Sequence, residues 1–482
     1  MSISKSLNNA VSGLTATSRM AEVVSSNLAN ALTEGYGRRS LEISSGTIGG
    51  QGNGVRIDGV RRNVDPGLIG DRRLADAAMA GQDRTAAALT RLEAQFSAPD
   101  DPAGLGGRLA ALETALVNAG ADPASDQRLN AVLARLNEVT ATLQTNARSV
   151  QTMRQEADAA IARDVEALNI SLKQVEQLNA DITRTRATGG DPASLMDARQ
   201  IAIDRIGQIV PIREVPRPNE QVALMTPTGM LLLDGPAMQL EFTRTPTITG
   251  FMTLATGGVS GITRDGVPLS TTNGFGKLSG GSLAASFELR DIHLVSAQQA
   301  LDEIAADLIT RFADPATDPT LTAGDPGLLT DAGVAHNPAD IVELSRRIIV
   351  NGAVDPAQGG LLSRIRDGVA ATTPGPLGES RQINRWVDSL SAAQTIGGSI
   401  PALSAAGQIG RVADDFGNAR VRAEQAQSFA ATRRDTLYSA ELAQGVDTDQ
   451  EMQSLLRIEQ AYAANARLMQ TINAMIQSLM EI

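Results

Sequence analysis

Near the end of the chain, apolar residues fall on two interleaved rows. Leu455, Tyr462, Met469 and Ile476 lie seven apart, and so do Ile458, Asn465, Ile472 and Leu479. These are the a and d positions of a coiled coil, with Asn465 as its single polar core position. Asp447 or Thr448 is read as the N-cap, with Glu451 completing a capping box on Thr448. The start of the chain carries a 4-3-4-3 row: Leu7, Val11, Leu14, Ser18, Ala21, Ser25, Leu28 and Leu32. Gly35 supplies a stop for that helix, because the left-handed position after a helix suits glycine.

Between the ends the pattern changes several times. LEISSG and GVRIDGV alternate and predict a β-hairpin. A helix follows from Pro66 or Gly67 to about Phe96, then a break at SAPDDPAGLGG and a short helix around 108–118. From Ala124 to Thr188 there is neither Gly nor Pro, which predicts one rod-like helix. Its seam runs through Leu129, Leu133, Leu136, Leu143, Ala147 and Val150, then Ala157, Ile161, Val165, Leu168, Leu172, Val175 and Ile182. The consecutive four-residue steps at Ala157–Ile161–Val165 form a stutter, where a coiled coil unwinds locally. From Pro211 to Gly281 the chain is rich in Gly, Pro and Thr, with short alternating runs that predict a small β domain. Helix returns from Ser282 to about Phe312, and Ala313–Gly333 reads as a loop. A short helix spans Arg381–Leu390, and the chain is helical again from about Gly407, broken only near Gln444-Gly445.

The expected fold is therefore mainly α with inserted β: N- and C-terminal helices pairing as a coiled coil, a long-helix bundle, and a small β domain inserted mid-chain. The expected units are an N-terminal helix (1–36) pairing with the C-terminal one (445–482), a hairpin connector (37–65), helical parts 66–210 and 282–444, and the β insertion (211–281). A loop insertion is expected at about 313–380.

The N-terminal helix is locally weak. About a dozen of its positions are Ser, Thr, Asn or Gly, which lowers helix propensity by on the order of 6 kcal/mol relative to Ala. Burying its roughly six larger apolar side chains would return about 1.5–3 kcal/mol each. Whether it forms is decided by a partner for its seam, either the C-terminal heptads or the rest of the chain's core.

Composition narrows the function. Of 482 residues, 42% are hydrophobic, so a folded protein is expected. Only 2% are aromatic, which leaves Ala, Leu, Ile and Val to pack long, shallow helix seams. The net charge of −12 lacks the basic footprint of a nucleic-acid binder. There is no cysteine, so thiolate chemistry and disulfides are excluded. The first residues show no signal-peptide pattern, and no window approaches the ~20 apolar residues that span a bilayer.

No catalytic constellation emerges. The two histidines, His293 and His336, are far apart and lack partners. NGFGKLS (Asn273–Ser279) only superficially resembles a phosphate-binding loop, because Thr271 and Leu278 stand where Gly and Ser/Thr belong. DFG at Asp415–Gly417 is isolated in a helical region, and the pairs Asp100-Asp101 and Asp414-Asp415 read as solvated turns and surface. No cofactor and no metal are expected.

Two stretches carry a family likeness. AVSGLTATSRMAEVVSSNLANALTEGYGRR (Ala10–Arg39) resembles the N-terminal signature of flagellar rod, hook and hook-associated proteins, and GVDTDQEMQSLLRIEQAYAANARLMQTINAMIQSLM (Gly445–Met480) the paired C-terminal one. Gly280–Phe312 and the long helix after Ala124 are similar to the hook-associated members. Ser26, Arg39 and Asp447-Thr448 depart from the usual Asn, Gln and Asn-Leu. The resemblance implies a non-enzymatic structural subunit joining hook to filament outside the cell, exported unfolded by the type III route. Implied partners are copies of itself, the hook protein, a second junction protein or flagellin, and an export chaperone at the C-terminal helix, with no nucleic acid and no membrane insertion. Interface positions would be Leu7, Val11, Leu14, Asn27, Leu28, Asn30, Gly35, Tyr36, Leu455, Ile458, Tyr462, Asn465, Met469, Ile472, Ile476 and Leu479. Asn27, Asn30 and Thr33 would bond across adjacent subunits, Gly35 would turn the chain outwards, and Tyr36 would wedge against the hairpin. Alternatives are another axial subunit, a secreted enzyme with an axial-type export segment, or a free-standing coiled-coil module.

Overall fold

The computed structural model describes residues 3–48, 51–96, 101–269, 276–395 and 402–480. In chain order it forms α1 (Ile3–Ala29), β1 (Arg38–Ile48), β2 (Gln51–Asn63), α2 (Pro66–Phe96), α3 (Leu105–Ala121), α4 (Asp126–Ala187) and α5 (Ala193–Ile209). Short strands follow: β3 (Arg213–Pro216), β4 (Val222–Met225), β5 (Leu231–Leu233), β6 (Leu240–Glu241), β7 (Thr263–Arg264) and β8 (Val267–Pro268). Then come α6 (Gly281–Glu288), α7 (Leu294–Ala313), β9 (Leu329–Asp331), α8 (Leu344–Arg347), β10 (Ile348–Val350), α9 (Ser363–Asp367), α10 (Arg381–Ser391), α11 (Ala405–Ala443) and α12 (Thr448–Met480).

The spine is α4, whose 62 residues extend about 93 Å at 1.5 Å per residue. The Ser125 side chain accepts from the Arg128 N–H and caps its start, while Asp126 places a carboxylate at the positive end of the helix dipole. Arg184 and Arg186 occupy its last turn. Beyond it Gly189 adopts φ +77°, and the Gly190 N–H returns to the Thr185 carbonyl.

This one helix feeds two cores. Leu129 to Met153 pack with α3, α7, α10, the second half of α2 and the first part of α11. Ile161 to Val175 pack with α5, α6 and the small sheets. The stutter read from the sequence falls between them. There Asp158 and Arg290 are both fully buried and pair at 2.6 Å, and the Asp158 Oδ2 also accepts from the Thr245 N–H at 2.7 Å. Arg290 projects from a π-helical turn, Leu289–His293, that interrupts the helix expected to run unbroken from Ser282 to Phe312. Buried Arg154 donates to the carbonyls of Arg290, Thr249 and Met252. Burial pulls the Arg154 guanidinium below its ordinary pKa. A polar plug thus occupies the place where the apolar seam breaks.

The β insertion consists of two three-stranded antiparallel sheets, β3-β4-β5 and β6-β7-β8, joined by irregular chain. The stretch expected as a loop insertion at about 313–380 holds only short elements, among them β9, α8, β10 and α9, joined by turns. Leu321, Leu328, Ile348, Val350, Val354 and Ile365 are buried in the larger core. Asp and Asn side chains replace regular hydrogen bonding there: Asp318 accepts from the Thr320 and Val369 N–H groups, and Asn351 donates to the Gly327 carbonyl.

The antiparallel β1–β2 hairpin carries a bulge after Glu42 and lies against α1, which in turn packs along α12. α2 and α11 run together beneath them, with Phe96 stacked on Phe416 at 4.6 Å. The isolated DFG motif therefore serves packing.

Asp158→Ala leaves the buried Arg290 cation with Asp291 as its one remaining carboxylate partner and is expected to lower unfolding free energy by about 2–3 kcal/mol. Replacing both residues with apolar ones should recover much of that loss in urea denaturation.

Candidate assembly interface

The inner face of α1 is built from small residues. Ala10, Ala16, Thr17, Val24 and Asn27 are buried between α12 and the hairpin, with Gly13 and Met20 partly covered. A Cβ on Gly13 would lie 3.0 Å from the Asn465 amide nitrogen, so the two helices cross closely here. On the other side of α1, the Ser12 hydroxyl accepts from the Val55 N–H of the hairpin at 3.1 Å.

The covered row 10-13-17-20-24-27 is offset by one residue, about 100°, from the expected seam 7-11-14-18-21-25-28. Leu7 and Leu14 are half-buried, whereas Val11 and Leu28 face solvent and Leu32 is 102% exposed. The expected seam follows the bulkier residues, but a close crossing selects small ones. On α12, Ile472 is buried, and Leu455, Ile458, Asn465, Met469 and Ile476 are half-buried. Tyr462, expected in the same row, is exposed, as are Met452, Leu456, Leu468 and Met475. The side chain of Leu479 lies outside the described residues. Small side chains of α1 thus meet the larger apolar row of α12, and both helices leave further large apolar side chains exposed.

Asn27, Asn30 and Thr33 each make hydrogen bonds within the chain. Asn27, 1% exposed, donates to the Arg39 carbonyl at 2.9 Å and accepts from the Arg39 N–H at 3.0 Å, imitating a strand neighbour. The Tyr36 hydroxyl donates to Asn27 Oδ1 at 2.9 Å, Asn30 donates to the Ser26 carbonyl, and Thr33 donates to Asn30. Tyr36 thus closes onto α1, and the Arg39 guanidinium stacks 4.8 Å above its ring. Gly35 adopts φ +74° and abuts Ile201, where a Cβ would sit 2.6 Å from that side chain.

The turn is held by charge. Asp197 on α5 accepts from the Gly37 N–H at 3.0 Å, from Arg39 at 2.8 Å and from Arg62 at 2.7 Å. Arg62 also donates to the Gly35 carbonyl. Arg38 pairs at 2.7 Å with Glu451, whose carboxylate is buried at the start of α12. Asp447 caps that helix through the Asp449 and Gln450 N–H groups, so Glu451 leaves the expected capping box for the arginine. Below, Arg72 binds Asp76, Asp204 and Glu441, and Arg73 binds Asp204 and Glu214. This ladder joins the hairpin, α5, α2, α11 and the β insertion. Sequence reading missed Asp197, Arg62, Arg38 and Glu451's role, and the one available signal was the departure at Arg39.

Other candidate chemistry resolves into packing. His293 ends the π-helical turn, and burial depresses its pKa, as it does that of His336. Asp101 caps a turn through the Ala103 N–H, and Asp415 pairs with Arg411. Asp100 and Asn273 to Phe275 lie outside the described residues. Among the described residues no three His, Asp or Glu side chains group to hold a metal, and no helix is long and apolar enough to cross a membrane.

Residues 89–327 match the family model for the flagellar hook-associated protein FlgK helical domain. Residues 7–36 match the flagella basal body rod protein model, and residues 443–482 the flagellar basal body rod FlgEFG protein C-terminal model. Together the three take in well over half of the chain. Flagellar hook-associated protein 1 of Salmonella typhimurium is 26% identical over 243 residues, 48% of this chain and 43% of that protein. The Escherichia coli protein of the same name is 25% identical over 43% of this chain and 39% of its own length, and that of Bacillus subtilis 26% over 43% of each. The alignments thus span less than half the length of these relatives. The flagellar hook junction protein of Burkholderia pseudomallei is a solved structure with 16% identity and a TM-score of 0.45, covering 55% of this chain and 47% of that one.

Asp197→Ala removes the common acceptor for Gly37, Arg39 and Arg62. It is expected to destabilise by about 2–3 kcal/mol and to speed amide exchange across residues 38–63 while leaving α4 protected. Unchanged exchange in the hairpin would contradict the anchoring role.

Proposed function

We propose that the chain is a member of the flagellar rod, hook and hook-associated family, whose models match residues 7–36, 89–327 and 443–482, and that it is a structural subunit joining hook to filament. It assembles with its own copies through the outer faces of the α1–α12 pair. The observation that carries this reading is the large apolar surface the pair leaves open: Ala10, Gly13 and Thr17 line the covered side of α1, while Val11, Leu28, Leu456 and Leu468 are turned outward. A helix pair that had only to satisfy itself would bury its leucines.

Placement at the junction follows the relatives named hook-associated protein 1. Its partners would be the hook protein below and a second junction protein or flagellin above, reached outside the cell after type III export. The exposed apolar face of α12 also offers an export chaperone a helix to hold before assembly. No enzymatic role is assigned.

The test is a strain lacking the gene, complemented with a labelled copy. Label at the distal end of each hook, with filaments lost in the deletion, is the expected result; firmly attached filaments in the deletion would overturn the reading. Leu468→Asp and Leu456→Asp lie on the open face and should leave monomer stability within about 0.5 kcal/mol while abolishing filament attachment. Ile472→Asp, at a buried position, should unfold the pair itself, visible as a loss of helical circular dichroism in the monomer.

A further inference from the structure

A cleft of about 430 Å³ opens between the start of α2, α5 and the β3–β4 hairpin. Its floor is apolar, formed by Ile69, Met196, Ile203 and Val222. Its polar lining is rich in arginine, and two of those cations make no ion pair among the described residues. Arg199, 7% exposed, donates through Nη1 to Asn179 Oδ1 and to the Glu220 carbonyl, and no carboxylate among the described residues lies within ion-pair distance of it. Arg213 is exposed at the rim and makes no ion pair among the described residues. Their neighbours differ: Arg62, Arg73 and Arg217 are matched to Asp197, to Asp204 and Glu214, and to Asp234. The lining sets five arginines against Asp71, Glu214 and Glu220, and a buried guanidinium held only by neutral acceptors, beside an apolar floor, suits a carboxylate that arrives together with an apolar side chain.

The chain displays such a group. In the turn after α1, Leu32 is fully exposed, and Glu34, two residues on, is exposed and makes no ion pair among the described residues. Turn and cleft lie at the same level, at the start of α5, but on different faces of it. Asp197 and Ile201 hold the turn, Met196, Arg199 and Ile203 face the cleft, and 100° per residue sets these two groups more than a quarter-turn apart. Arg62 and Gln200 stand between them. A projection on one side and a matching recess on the other, at one level, generate a head-to-tail contact that repeats from copy to copy.

We propose that the Leu32–Glu34 turn of one copy seats in the Arg199–Arg213 cleft of the next, Leu32 on the apolar floor and the Glu34 carboxylate between the two guanidiniums. This rests on the reading that the chain assembles with its own copies, and it names a lateral contact outside the terminal helix pair.

The chain has no cysteine, so a Thr33→Cys/Pro216→Cys variant carries only the two thiols that test the contact; Pro216 lines the cleft. Oxidising intact flagella from cells expressing this variant should give a ladder of covalent multimers. The purified monomer at equal concentration and either single-cysteine variant in flagella should give no ladder. Glu34→Arg should lower incorporation at least tenfold, and adding Arg213→Glu should restore it. Normal incorporation of Glu34→Arg, with no ladder from the cysteine pair, overturns this contact and leaves the assembly reading standing. Absence of the unmodified protein from flagella would instead strike the assembly reading. Calorimetric binding of inorganic phosphate to the monomer that is lost in Arg213→Glu, again with no ladder, would assign the cleft to a free anion and overturn the proposal.

Discussion

One carboxylate sets the geometry of both chain ends. Asp197 gathers the Gly37 N–H, Arg39 and Arg62, and so fixes where α1 stops, where the hairpin starts and how both sit on α5. The turn from Asn30 to Gly37 has little apolar surface to bury, so charge-assisted hydrogen bonds take over the role that a core plays elsewhere. Arg38 and Glu451 extend the same logic to the start of α12. Without these contacts the terminal pair would be two helices on flexible tethers. With them it has a defined direction relative to the bundle.

That bundle divides its labour along α4. The apolar seam is continuous enough to make one helix, yet its phase slips at Ala157–Ile161, and the slip is filled by Asp158, Arg290 and Arg154. Each half of the helix then faces a different set of neighbours. The ionic plug ties α4 to the π-helical turn through Arg290 and to the β insertion through the Thr245 N–H and the Thr249 and Met252 carbonyls.

What the sequence revealed follows from the range of the forces involved. α4 was legible because the lack of Gly and Pro over more than sixty residues is a local property. The C-terminal heptads placed Ile472 and Asn465 on the covered side, yet Tyr462 stands out of that row. On α1 the row was displaced by one residue because periodicity weights side-chain bulk, whereas the close approach at Gly13 and Asn465 rewards its absence. The Asp197 cluster was invisible, since its members sit up to 160 residues apart and leave no period. The 313–380 segment was obscured for another reason. Its Asp, Asn and Gly residues look like solvated loop, and only the fold shows that Asp318 and Asn351 tie those turns into the core.

The pairing of α1 with α12 has a kinetic corollary. Gly13 and Asn465 meet across about 450 residues of intervening chain, a closure whose entropy must be met before any contact rewards it. The hairpin covers one side of α1 from nearby in the chain, while the side toward α12 stays open until that distant helix arrives.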